Sequence, residues 1–358
     1  MKFDKIIFEN RREKLRALMK QYKIPALLIN SSANRFYLSG FELHDPQCNE
    51  TAGWIIVTES GDDYLLTDPR YDDAAKRVWD NDKIFIYSGR KFEALKKFFH
   101  YNKITSLFID YNDVSVFEHE KLKELCELKS APALVEQLRM VKDASEIECM
   151  KKACALNHKV YEQIQPSLIP GKTELEISWE IEQLFRNGGA SELAFTTIVG
   201  IDQNAALPHA IPGETTLKEG SHVLIDMGCR VDDYCSDQTR TFWVGDKPSD
   251  RFLEVRQQVM DAQTAAIKTL RPGLPISQAY RTAYTHFEKL GVEKYFTHSL
   301  GHGIGLETHE SPSVSPSARG ELKPGMVVTM EPGLYYSDWG GVRWEYMALI
   351  TEDGYEIL

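Results

Sequence analysis

One phrase is written twice in this chain. Leu217-Lys218-Glu219-Gly220 leads through SHVLI to Asp226, and Leu322-Lys323-Pro324-Gly325 leads through MVVTM to Glu331. In both copies the carboxylate stands nine residues after the leucine. Upstream, Pro170-Gly171 and Pro272-Gly273 each precede a helical stretch. Turn, apolar strand and terminal carboxylate, repeated in the same order, predict two homologous half-units about a pseudo-twofold axis, with a cleft between them.

The carboxylates sharpen this. Asp226 ends HVLIDMG, Asp237 follows in YCSDQTRT, Glu331 ends MVVTMEPG and Glu345 lies in GVRWEYMALI. A carboxylate on a strongly apolar strand must be paired, protonated or metal-bound, because burying a bare charge costs several kcal/mol, roughly. Only Arg240 and Arg343 supply cations within these strands. Taken singly, Asp237 reads equally well as a turn residue and Glu331 as a solvated strand end. Between them in the chain lies YFTHSLGHGIGLETHESP, residues 295–312, with His298, His302 and His309 among glycines and apolar residues. Alone, that cluster fits a zinc site, an acid–base site or three core histidines. Four carboxylates beside one imidazole are oxygen-rich, more than a single structural zinc takes. They suit hard or borderline ions, Mn²⁺, Fe²⁺, Co²⁺ or Zn²⁺, and two bridged ions use them well.

The rest of the chain sets the frame. From Asn10 to Leu128, helices and strands alternate: helices over 10–22, from Ser32, over 71–79, 91–101 and 114–128, and strands over 26–30, 53–59, 63–68, 83–87 and 106–110. That is an α/β domain over residues 1–135. Residues 131–142 read as a connection. Asp143 with Glu146, and Thr173 with Glu176, are capping-box signatures that open helices. Beyond Gly189 the pattern turns to strands interrupted by helices over about 253–270 and 277–290, an α+β domain over residues 136–358. A chain of 358 residues holds two such cores. Its net charge of −11 argues against nucleic acid or an anionic membrane as partner. Six cysteines without a CxxC pair fit a reduced cytoplasm, and neither a signal peptide nor a membrane span is evident.

The motifs DMGCRVDDYCSDQTRTF, HSLGHGIGLETHESP, MEPG and GVRWE resemble those of the pita-bread metallopeptidases, and within them Xaa-Pro dipeptidase (prolidase) and aminopeptidase P. The likeness extends to AFTTIVGIDQNAALPHA, VKDASEIECMKKA and, more weakly, NRFYLSGF and LLTDPRY, nearly the whole chain. It implies a creatinase-like first domain that shapes access and dimerisation, and a pita-bread catalytic domain. It implies two divalent ions, Mn²⁺ foremost, held by Asp226, by Asp237 and Glu345 as bridges, and by His302 and Glu331. His209, His298 and His309 fall where the family places histidines around substrate, and Arg343 matches the family's arginine two residues before the last ligand; its bidentate fork makes it the expected partner of a substrate carboxylate. The implied partners are a peptide with proline second and a second copy of the chain. Two departures stand out: Tyr346 follows the last glutamate where the family usually has an acidic or polar residue, and the 43–53 loop is longer than expected.

The chemistry then expected is hydrolysis of the bond before proline, with Glu331 as proton shuttle and His309 stabilising the developing oxyanion. Dipeptidase is favoured over aminopeptidase P acting on longer peptides. More remote rivals are a lyase or another amidohydrolase on the same fold, and a non-catalytic binding module that would hold no stoichiometric metal.

Overall fold

The computed structural model describes residues 4–45 and 50–358. Two compact units divide at Arg139 and Met140.

The first unit is built on a six-stranded mixed sheet. Its order is Ile84–Ile86, Tyr64–Thr67, Gly53–Thr58, Ala26–Ile29, Ser106–Ile109 and Glu127–Ser130. The central strands are buried along their length, as expected of a sheet covered on both faces. The hairpin expected from Gly53 to Asp68 is present as an antiparallel pair. One expectation fails. The helix foreseen over 114–128 covers only Val116–Lys123, and Glu127–Ser130 pairs in parallel with Ser106–Ile109 as an edge strand. The spacing of Leu122, Leu125 and Leu128 suits a helix, but an open sheet edge offers backbone partners that local periodicity cannot anticipate. The presumed connection over 131–142 also contains a short helix, Leu134–Arg139. The middle of the 43–53 loop, Pro46 to Asn49, lies outside the described residues. At its near end Asp45 accepts from buried Arg35 at 2.9 Å and from the Ala52 amide at 2.7 Å.

The second unit carries the repeat. Both capping boxes form, Asp143 with Glu146 at Ala144–Ile164 and Thr173 with Glu176 at Glu174–Asn187. The second half answers with Asp250–Ile267 and Ile276–Leu290. Every described strand pairing in this unit is antiparallel. The repeat holds at single hydrogen bonds. The Gly171 amide donates to the Leu217 carbonyl and Gly273 to Leu322, both at 2.9 Å; Glu174 donates to Thr215 and Ile276 to Gly320, both at 3.1 Å. Gly220 and Gly325 turn into the ligand strands with φ of 86° and 85°, a region that glycine enters without steric cost. Each half has its own core, one around Val160, Phe185 and Ile225, the other around Phe252, Phe287 and Val328.

In each half a long helix grips the backbone beside the carboxylates. The Tyr161 hydroxyl lies 2.9 Å from the Ile225 carbonyl and 2.7 Å from that of Gln238. Gln263 Nε2 donates to the Met330 carbonyl at 2.7 Å and the Trp344 carbonyl at 2.8 Å. These four carbonyls adjoin Asp226, Asp237, Glu331 and Glu345 in sequence. Gln263 is buried, so Gln263→Leu leaves two carbonyls without this donor. We expect it to lower unfolding stability by about 2–3 kcal/mol in denaturant titration; a loss below 0.5 kcal/mol, roughly the scale of a surface change, would show that the grip is not structural.

Candidate metal centre

Asp226 ends the strand His222–Met227, and Asp237 immediately precedes Gln238–Trp243, which pairs with it. Glu331 follows Val327–Met330, and Glu345 precedes its partner Tyr346–Ile350. His302 sits in Gly301–Gly303. Asp226 and Asp237 thus come from one sheet and His302, Glu331 and Glu345 from another, and Asp226, Asp237, His302 and Glu331 line one cavity. A donor atom from each of Asp237, His302 and Glu345 lies within 4.8 Å of the others. Glu331 Oε1 is 3.3 Å from His302 Nε2, and Asp237 Oδ2 is 3.6 Å from it. Asp226 stands outside that trio of closest donors, and one of its oxygens accepts from Arg343 Nη2 at 2.6 Å.

The charge of this cluster is only partly compensated, by Arg343. Asp226, Asp237 and Glu345 are buried, and the Glu331 side chain is only 17% exposed. Burial, then repulsion from Glu345, Asp226 and Glu331, pushes the Asp237 carboxyl well above the usual range. Burial, then Glu331 and Asp226, does the same to Glu345. Burial raises Glu331 to about 8, against the pull of Arg343. Asp226 Oδ1 and Glu345 Oε1 are buried and accept no hydrogen bond among the described residues. Both remaining oxygens of these two residues are spoken for, by Arg343 and by the Thr239 hydroxyl at 2.7 Å.

His302 is set as a ligand. Its Nδ1 lies 3.0 Å from the Gly303 carbonyl, which can only accept, so Nδ1 carries the hydrogen. The Nε2 lone pair therefore faces two carboxylate oxygens, an arrangement that a cation relieves. Burial and His309 lower its pKa to about 4, favouring the neutral ring that metals bind. Orphaned oxygens, a lone pair aimed at acceptors and an oxygen-rich donor set fit divalent cations.

A cavity of about 570 Å³ opens beside the cluster, lined from the first half by residues between Phe195 and Asp237 and from the second by residues between His298 and Arg343. The expected cleft between the halves is thus present. His209 and His309 line it without hydrogen-bond partners among the described residues, so their imidazoles are free to meet a ligand. The His309 ring packs edge-on to His302 at 4.2 Å. His298 also lines the cavity but is fully engaged. Its Nδ1 donates to the Ser299 carbonyl at 2.7 Å and its Nε2 meets the Tyr335 hydroxyl at 2.9 Å. Arg343 is buried, with Nε on Thr239, Nη1 on Tyr335 and the Pro208 carbonyl, and Nη2 on Asp226. Four of its five hydrogens thus bond the protein. Tyr346 turns to the other face, where the Arg240 guanidinium lies 4.2 Å from its ring and 4.8 Å from that of Trp344. Strand alternation puts it there.

Sequence reasoning missed Thr239, Thr329 and Tyr335. The Thr329 hydroxyl accepts from the His302 amide at 3.0 Å and donates to Glu331 at 3.1 Å. Their only signal was a hydroxyl on a buried strand.

The resemblance has direct support. A model of metallopeptidase family M24 matches residues 148–352, and one of the creatinase/prolidase N-terminal domain matches residues 11–141. An Xaa-Pro dipeptidase of Pyrococcus furiosus is 32% identical over 349 residues, 97% of this chain and 96% of that one. Among solved structures, an Xaa-Pro dipeptidase from Bacillus anthracis superposes with a TM-score of 0.91 at 32% identity, covering 98% of this chain and 97% of that one. An X-Pro aminopeptidase from Thermotoga maritima superposes with a TM-score of 0.86 at 32% identity, covering 97% and 96%.

The raised carboxyl pKa values have a measurable sign. Between the ordinary carboxylate range, about 4, and the higher folded values, the metal-free folded chain binds more protons than the unfolded one. Its stability therefore falls as pH rises through that window, by about 1.4 kcal/mol per pH unit for each extra proton bound. We expect the melting temperature of chelated protein to fall between pH 5 and 8, taken as roughly that window. Asp237→Asn should flatten the slope, as should added Mn²⁺. A slope identical in wild type and Asp237→Asn would refute the assignment.

Proposed function

The chain belongs to metallopeptidase family M24, with a creatinase/prolidase N-terminal domain ahead of a pita-bread unit, and on that premise we propose that it is an Xaa-Pro dipeptidase. The observation that carries this reading is the convergence of Asp226, Asp237, His302, Glu331 and Glu345 beside a cavity that presents two free imidazoles.

Asp226, Asp237 and Glu345 on one side and His302 and Glu331 on the other would hold two divalent cations, Mn²⁺ foremost, with Asp237 and Glu345 shared. Bound there, the cations supply Lewis acidity toward the scissile carbonyl and acidify water near neutral pH. The remaining work falls to side chains. Glu331, enclosed and paired with Thr329, takes the proton of the attacking water and passes it to the proline nitrogen as the bond breaks. His309 is kept neutral by partial burial and by His209, and donates an N–H to the carbonyl oxygen as negative charge develops there. Arg343 has one hydrogen left on Nη2, and with His209 it offers donors to the carboxylate that ends a dipeptide. His298 acts at one remove, holding Tyr335 and through it Arg343.

The rival is an Xaa-Pro aminopeptidase acting on longer peptides, the activity named for the Thermotoga neighbour. The two separate on length: a dipeptidase needs the carboxylate directly after proline. We further propose that the protein works as a homodimer in the cytoplasm and that its first domain shapes access to the site, as the family resemblance implies. No helix among the described residues is long and apolar enough to cross a membrane.

With Mn²⁺ supplied, proline release from a panel of Xaa-Pro dipeptides should exceed, in kcat/KM, release of the first residue from Xaa-Pro-Yaa tripeptides; equal or faster tripeptide cleavage would favour the aminopeptidase. In the same assay Glu331→Ala should abolish turnover. His309→Ala should lower kcat by about a hundredfold with little change in KM, and a wild-type kcat would remove His309 from the mechanism.

A further inference from the structure

The repeat breaks at one buried charge. Glu174 opens the helix Glu174–Asn187, and its backbone counterpart in the second half is Ile276: both amides make the same 3.1 Å bond, to Thr215 and to Gly320. An apolar residue therefore serves at this place in the fold, yet the first half buries a carboxylate there with no exposed surface. No cation pairs with it among the described residues. Its three donors all come from one segment. Glu174 Oε1 accepts from the Ile201 amide at 2.8 Å and from Asn204 Nδ2 at 2.9 Å, and Oε2 accepts from the Gly213 amide at 2.9 Å. Ile201 and Gly213 are the two ends of the loop that carries Pro208, His209, Ala210, Ile211 and Pro212, five consecutive residues of the cavity wall.

Between those ends the first stretch is anchored, with Asp202 accepting from the Ser221 hydroxyl and the His222 amide, Gln203 donating to the Ser337 carbonyl, and Ala205 and Ala210 buried. The stretch around His209 is held more lightly. Leu207 and Ile211 are 58% and 87% exposed. The Pro208 carbonyl accepts from Arg343 at 3.2 Å. A buried carboxylate satisfied only by loop donors is stranded if the loop departs, and leaving such a charge unpaired is strongly unfavourable. The helix N-terminus adds a favourable field for that charge.

We propose that Glu174 is a positioning residue: it closes the 201–213 loop at both ends and thereby fixes His209 against the substrate. This rests on the Xaa-Pro peptidase reading for its kinetic part only. Glu174→Gln keeps the shape but replaces one acceptor by a donor facing N–H groups; Asn204→Ala removes one donor and leaves the carboxylate intact. Both should leave metal stoichiometry unchanged. Glu174→Gln should lower kcat/KM on an Xaa-Pro dipeptide by about tenfold to a hundredfold, the scale of a misplaced contact, and Asn204→Ala should lower it less. Glu174→Gln combined with His209→Ala should be no slower than His209→Ala alone. Amide hydrogen exchange over residues 201–213, read without substrate, should accelerate in both variants while exchange over Val327–Met330 stays unchanged. Fully additive kinetics, or unchanged exchange in the loop, would overturn the proposal. Failure of the wild type to cleave any Xaa-Pro dipeptide would instead overturn the peptidase reading and leave the exchange result to decide the role of Glu174.

Discussion

Four largely buried carboxylates facing one cluster are the constraint around which the second unit is arranged. Burial first, and mutual repulsion after it, pushes the Asp237, Glu331 and Glu345 carboxyls above the ordinary range. A domain carries that arrangement only if something else pulls the carboxylates together when the protein works. The buried oxygens of Asp226 and Glu345 that no donor reaches among the described residues, and the His302 lone pair facing Asp237 and Glu331, suit a divalent cation. Arg343 offsets only part of the repulsion, from the Asp226 side.

Everything next to the cluster limits how its members can move. Thr239 joins Arg343 to Glu345, Thr329 joins His302 to Glu331, and Tyr335 joins Arg343 to His298. Behind the strands Tyr161 and Gln263 meet carbonyls beside the ligands. The halves meet the same need with different chemistry, a phenol in one and an amide in the other. Their equivalence is therefore visible in geometry and not in residue type.

The sequence disclosed those parts that obey short-range rules. Apolar strands ending in carboxylates, glycine-rich histidines and two capping boxes are local patterns, and Asp226, Asp237, His302, Glu331 and Glu345 do converge. What stayed hidden depends on distant partners. Glu127–Ser130 becomes a strand because Ser106–Ile109 lies beside it. That Arg343 spends four of its five hydrogens on Asp226, Tyr335, Thr239 and the Pro208 carbonyl, and that His298 is satisfied by Tyr335 and Ser299, depends on residues far off in the chain. Glu174 reads as a helix-start acid and nothing more; only the loop that folds back on it gives it another meaning.

The candidate donors are divided between two separately cored halves. Asp226 and Asp237 belong to one half, His302, Glu331 and Glu345 to the other, and more than a hundred residues separate the first ligand from the last. Neither half alone offers the closest trio of donors. The loop-closure entropy of bringing these atoms together over such a span is offset by apolar burial in both cores. A cation held there would therefore bind across two separately packed cores, in contrast to small zinc modules whose ion is the nucleus of their structure.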